Sequence, residues 1–153
     1  MAAPTGIDRT APVIARHEIA IAAPLDVVWN LHIDVANWPS WNPDITGVTS
    51  EQPFAPDASF LWHTAGLEIR STVYAVTEHA RTLWGGDVAG IHGIHEWTFT
   101  TTGDSTRVAT EESWSGEPVA ANVAANVAAM QNGLDQSLVS WLGHLKSAAE
   151  AKG

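Results

Sequence analysis

The chain has 153 residues, enough for one domain with its own core and too few for two. Seventeen Asp and Glu oppose seven Lys and Arg, and the formal net charge of −10 repels nucleic-acid phosphates and anionic membrane surfaces. No cysteine is present, which excludes disulfides, thiolate metal sites and a cysteine nucleophile, while eight tryptophans stand against one tyrosine and three phenylalanines.

Residues 1–14 are rich in Ala, Pro and Thr and lack the apolar run of a signal peptide. They read as a mobile tail ahead of a single domain over 15–150. In Arg16–Ile21, His17, Ile19 and Ile21 alternate with Arg16, Glu18 and Ala20, the period of a half-buried strand. Ala23-Pro24 stops it, and Pro24 opens a helix over Leu25–Ile33 with Val28 and Leu31 at helical spacing. Asp26 in its first turn suits the helix dipole. Between Pro39 and Pro43 there is room for one helical turn only, which sets Trp38 and Trp41 on a common side.

Six strands are expected next: Ile45–Glu51, Ser59–Thr64, Leu67–Thr77, Arg81–Asp87, Ile91–Thr101 and Thr106–Ser113. Short breaks such as Ala65-Gly66 and Gly103-Asp104 join them, so the sheet is an antiparallel meander. From Pro118 the pattern changes. Val123, Val127, Met130, Leu134, Leu138, Trp141 and Leu145 form one apolar stripe on a helix of about 30 residues. A lone amphipathic helix needs an apolar face to bury against, and a curved sheet supplies one. No stretch reaches the roughly 18 apolar residues of a membrane span.

Motifs spread over about residues 15–150 carry a family likeness. They include Ala23-Pro24 with Val28-Trp29, the run Trp38-Pro39-Ser40-Trp41-Asn42-Pro43, Leu83-Trp84-Gly85-Gly86, His95-Glu96-Trp97-Thr98-Phe99 and Glu111-Glu112-Ser113-Trp114. On these the chain resembles the helix-grip superfamily of START and birch-pollen-allergen-like domains, in particular its bacterial polyketide cyclase/dehydrase-like branch. The resemblance implies an α+β fold in which a seven-stranded curved antiparallel sheet surrounds a long C-terminal helix, with two short helices after the first strand. It also implies an apolar cavity between sheet and helix. Members bind lipids, steroids, polyketides and plant hormones, and only some are enzymes, so no catalytic set transfers with the fold.

Strand parity selects the residues that face such a cavity. His95, Trp97 and Phe99 share one face of their strand, and two large aromatics mark it as inward. A two- or four-residue turn at Gly103-Asp104 sets Val108, Thr110, Glu112 and Trp114 on that face; a three- or five-residue turn substitutes Glu111. With the even turn His95 and Glu112 are cross-strand neighbours, either an acid/base pair or a buried polar pair that satisfies itself. A carboxylate there is expected to raise the histidine pKa. Trp62, Ile69, Ser71 and Trp84 join the wall, with Ser71 a hydroxyl for a carbonyl oxygen. Asn122, Asn126 and Met130 are expected on the facing side of the helix. Gly133 implies close packing or room for a ligand.

His92 and His95 point to opposite faces of a strand, so no metal site is expected, and His63 is expected outside. No nucleophile elbow, dinucleotide fingerprint or P-loop is present. The reading is a cofactor-independent cyclase or dehydratase acting on a polyketide-like or aromatic small molecule. In it His95, helped by Glu112, moves protons, and Ser71 and Asn126 hold carbonyl oxygens. The alternative is a non-catalytic carrier of an apolar small molecule. Neither needs nucleic acid or a membrane; a cytoplasmic monomer or homodimer fits both.

Overall fold

The computed structural model describes residues 3–117 and 124–152, and of 124–126 the backbone alone. The strands are β1 (Val13–Ile21), β2 (Ile45–Thr49), β3 (Ser59–Thr64), β4 (Leu67–Thr77), β5 (Arg81–Val88), β6 (Ile91–Thr102) and β7 (Ser105–Ser115). The helices are α1 (Leu25–Ile33), a 3-10 turn at Val35–Asn37, α2 (Trp38–Trp41) and α3 (Ala124–Lys152). All pairings are antiparallel, in the order β1-β7-β6-β5-β4-β3-β2. The sheet curves around α3, the helix-grip arrangement that the resemblance implied.

The β6–β7 connection fixes the register that matters most. It is a two-residue turn, with Thr102 opposite Ser105 and Gly103 at φ 65°. A positive φ at the first central position suits Gly and matches the twist of the flanking strands. Parity then runs undisturbed along β7, and His95 pairs with Glu112.

Two different layers cover the inner face of the sheet. Toward the β6–β7 turn, α1 packs down with Trp29 and His32 buried, while Trp38 of α2 is buried among Phe60, Trp62, Trp84 and Trp141. His32 stands 4.8 Å from the Trp97 ring and 5.1 Å from Phe99, while Trp29 meets Phe99 edge-to-face at 5.1 Å. Toward the other end of β6, α3 lies over the sheet. Its Leu134 and Leu138 are buried with Val13 and Ala15 of β1, and Met130 packs against that cluster.

Several strand ends differ from the sequence reading by one or two residues, and the N-terminal region differs more. β1 begins at Val13 because Val13 and Ala15 extend the inward alternation under α3. Residues 3–12, expected as a tail, lie against the outer face. Ile7 is buried with Leu83 and Ile94, the Asp8 N–H donates to Ser113 Oγ at 2.9 Å, and Arg9 pairs with Glu111. An apolar outward patch on β5 and β6 supplies the burial that the composition of the segment concealed. The expected helix start at Pro118 lies outside the described residues.

Candidate functional site

α1 and α2 stop short of the Ile91 end of β6, and a cavity of about 320 Å³ remains there between sheet and α3. That volume falls within the range of small-molecule sites, about 300–1,000 Å³. Trp84, Gly86, Gly93 and His95 form part of its floor, Trp62, Ile69 and Ser71 one side, and Glu112 with Trp114 the other. Gly133, Leu134, Ser137 and Trp141 of α3 cover it. Leu67, 42% exposed, stands on the lining where the β3–β4 hairpin ends.

The floor is low where glycines replace side chains. Gly86 and Gly93 are paired neighbours, and Gly93 is also opposite Trp114. On α3 an added Cβ at Gly133 meets no atom within 4 Å. Gly133 is exposed at the cavity lining, and the open space beside it excludes close packing as its role.

One line of close polar contacts crosses the wall. His95 Nδ1 lies 3.1 Å from Glu112 Oε1. His95 Nε2 lies 2.7 Å from Thr110 Oγ1, and the Thr110 hydroxyl donates to the Glu96 carbonyl oxygen at 3.1 Å. Trp114 Nε1 donates to Glu112 Oε2 at 2.8 Å. With its only proton committed to Glu96, Thr110 accepts from His95 Nε2–H. Neutral His95 then has its Nδ1 lone pair on the side of Glu112, with Oε1 3.1 Å away.

The electrostatics agree with that assignment. Burial pushes Glu112 up to about 7, against a smaller lowering by the Trp114 N–H. Burial also holds His95 well below its ordinary value, with a further lowering from His32. The expectation that the carboxylate raises the histidine is thus reversed: desolvation favours the neutral form of both groups. The His95 side chain is 3% exposed and Glu112 18%, so Glu112 is the more accessible member.

Of the expected wall residues, Trp62, Ile69, Ser71, Trp84 and Trp114 line the cavity with His95 and Glu112. Ser71 Oγ accepts from Trp62 Nε1 at 3.0 Å, which leaves its own proton free for a guest. Trp97 and Phe99 face inward but lie under α1, where Trp29 and His32 cover them. Thr110 is buried against His95 and does not line the cavity. Met130 does not line the cavity; it packs with Leu134 and Leu138 on Val13 and Ala15 of β1, one turn earlier on the same face of α3. Asn122 and the side chain of Asn126 lie outside the described residues.

Asn42 and Asp44 were not anticipated on the wall; they follow α2, where a proline-bounded turn gives no periodic signal. Trp141, expected in the core, belongs to both core and cavity. His32 was also missed, although Val28 and His32 share the four-residue spacing of one helix face. It is fully buried, with Nε2 2.8 Å from Thr82 Oγ1, and desolvation lowers its pKa to about 3. His63 and His92 pair with Glu68 and Asp87 and are more than a third exposed. Among the described residues no group of three potential metal ligands occurs, and no helix is long and apolar enough to cross a membrane.

The family model described as polyketide cyclase / dehydrase and lipid transport matches residues 12–150. No curated protein matches the sequence. Similar solved structures include a START superfamily protein from Mycobacterium smegmatis, 14% identical, at a TM-score of 0.77 over 92% of this chain and 99% of that one. The Zhui aromatase/cyclase from Streptomyces sp. R1128 is 17% identical, at 0.75 over 90% and 93%. A hypothetical protein from Helicobacter pylori is 20% identical, at 0.74 over 97% and 99%. At these identities the likeness is one of fold.

Proposed function

Because the chain belongs to the polyketide cyclase / dehydrase and lipid transport family, we propose that it is a cofactor-independent dehydratase or cyclase for a polyketide-like or aromatic small molecule. The observation that carries this reading is the Glu112–His95 pair, 3.1 Å apart, on the wall of an apolar cavity. A carboxyl group that titrates near neutrality can both give and take a proton at working pH.

In the dehydration of a β-hydroxy ketone, the guest carbonyl accepts a hydrogen bond from the Ser71 hydroxyl. Glu112 gives its proton to the departing β-hydroxyl as the C–O bond breaks. Its carboxylate then takes the α-proton, whose C–H electrons form the new C=C bond. Water leaves and Glu112 is protonated again. Both nitrogens of His95 are engaged by Glu112 and Thr110. Its part is to orient the carboxyl and to share the proton during the transfer. In an aldol cyclisation the same pair takes an α-proton and returns it to the new alkoxide. Apolar walls hold the chain folded and exclude water.

A second reading, a non-catalytic carrier, is favoured by the internal hydrogen bonds that hold His95 Nε2 on Thr110 and Glu112 Oε2 on Trp114. The two readings part on His95→Gln and Glu112→Gln with 3-hydroxy-1-tetralone, whose loss of water gives fluorescent 1-naphthol. An enzyme loses about 100-fold or more in turnover while the affinity for 1-tetralone changes by less than about threefold. Wild-type protein that binds 1-tetralone but leaves the hydroxy ketone unchanged favours the carrier.

A further inference from the structure

The distribution of charge about the cavity limits what can enter it. Five arginines and two lysines are the side-chain cations of the chain, and none lines the cavity. Arg9 pairs with Glu111, Arg16 and Arg107 with Glu18, and Arg81 with Glu96, all on the outer face of the sheet. Arg70 is exposed and alternates with the inward Ile69 and Ser71. Lys146 pairs with Glu150, and Lys152 closes α3 at the far end. Residues 118–123 contain neither Lys nor Arg.

Charge of the opposite kind is present. Asp44 and Glu112 line the cavity, and His95 is the remaining titratable group on its wall. Asp44 Oδ2 accepts from Ser140 Oγ at 2.6 Å and has His144 Nε2 at 3.6 Å. Trp62, Trp84, Trp114 and Trp141 supply four aromatic rings between these carboxyl groups. Indole faces attract cations and repel anions, and more so where water is scarce. The net charge of −10 adds a long-range field of the same sign.

We propose that the guest of this cavity is a flat apolar molecule without an anionic group, and that a protonated amine is its preferred charged form. The proposal rests on the reading that the cavity binds a small molecule, and it names the chemical class. A carboxylate, phosphate or sulfate on the guest would meet two carboxyl groups and no cation to receive it; the donors there are neutral, the N–H groups of Trp84 and Trp141 among them. An ammonium group would draw the proton off Glu112 and pair with the carboxylate.

The test is calorimetric titration with three probes of one shape: 2-acetonaphthone, 2-naphthylmethylamine and 2-naphthoate. At pH 8 the naphthoate is expected to bind at least about tenfold more weakly than the ketone, and the amine at least as tightly as the ketone. Between pH 6 and pH 8 the amine should tighten by about tenfold, following ionisation of a group near 7. Glu112→Gln should flatten that dependence. Naphthoate binding as tightly as the amine overturns the proposal while leaving the small-molecule site intact. Binding by none of the three overturns both.

Discussion

Glu112 is pushed toward its protonated form because burial penalises the carboxylate, and the Trp114 N–H on Oε2 offsets only part of that rise. The sign of the resulting pH dependence follows. The carboxyl group is raised from 4.5 to about 7. Folding therefore favours its protonated form, and this stabilisation is complete below pH 4.5 and lost as pH rises through 7. Its total is about 3 kcal/mol. A glutamine has the shape of the protonated acid and keeps an oxygen to accept from Trp114. Glu112→Gln is thus expected to match the wild type in urea unfolding at pH 4.5 and to exceed it by up to about 3 kcal/mol at pH 8. Equal stability at both would contradict a protonated Glu112. Parity and an even turn were enough to place the two residues opposite each other in sequence. The direction of their pKa values was not legible, because it depends on how completely three dimensions remove both groups from water.

At the scale of elements, α3 and the segment before β1 show what periodicity conveys and what it hides. The stripe from Val127 to Leu145 was readable because a 3.6-residue period is a one-dimensional signal. Gly133 was visible but ambiguous, since only the neighbouring atoms reveal the open space beside it. Gly133→Ala should raise stability by up to about 1 kcal/mol through helix propensity. It should also weaken the binding of 1-tetralone, because the new methyl group occupies cavity volume; a Tm and a calorimetric Kd measure the two effects. Residues 3–12 carried no period at all, and one isoleucine anchors them. Ile7→Ala is expected to cost about 2 kcal/mol. An unchanged unfolding midpoint would show that this segment contributes nothing to the fold.

For the whole molecule, the inner face of the sheet is shared between an aromatic plug and a cavity. Sequence parity identified that face correctly and could not divide it. Trp97 and Phe99 have the same parity as His95, and only the position of α1 assigns them to the plug. Plug and cavity meet at Trp97, whose ring lies 4.8 Å from His32 and 5.1 Å from His95. The plug shields the far side of the pair from water, and α3 covers the cavity side. An apolar chamber with one transferable proton on its wall is the consequence. The most direct measurement of that proton is a pH titration of the Glu112 side-chain carboxyl carbon by NMR, read with the His95 ring nitrogens. The expected result is a carboxyl midpoint near 7, with His95 protonated on Nε2 below it. A midpoint near 4.5, with the proton of His95 on Nδ1, would contradict the account.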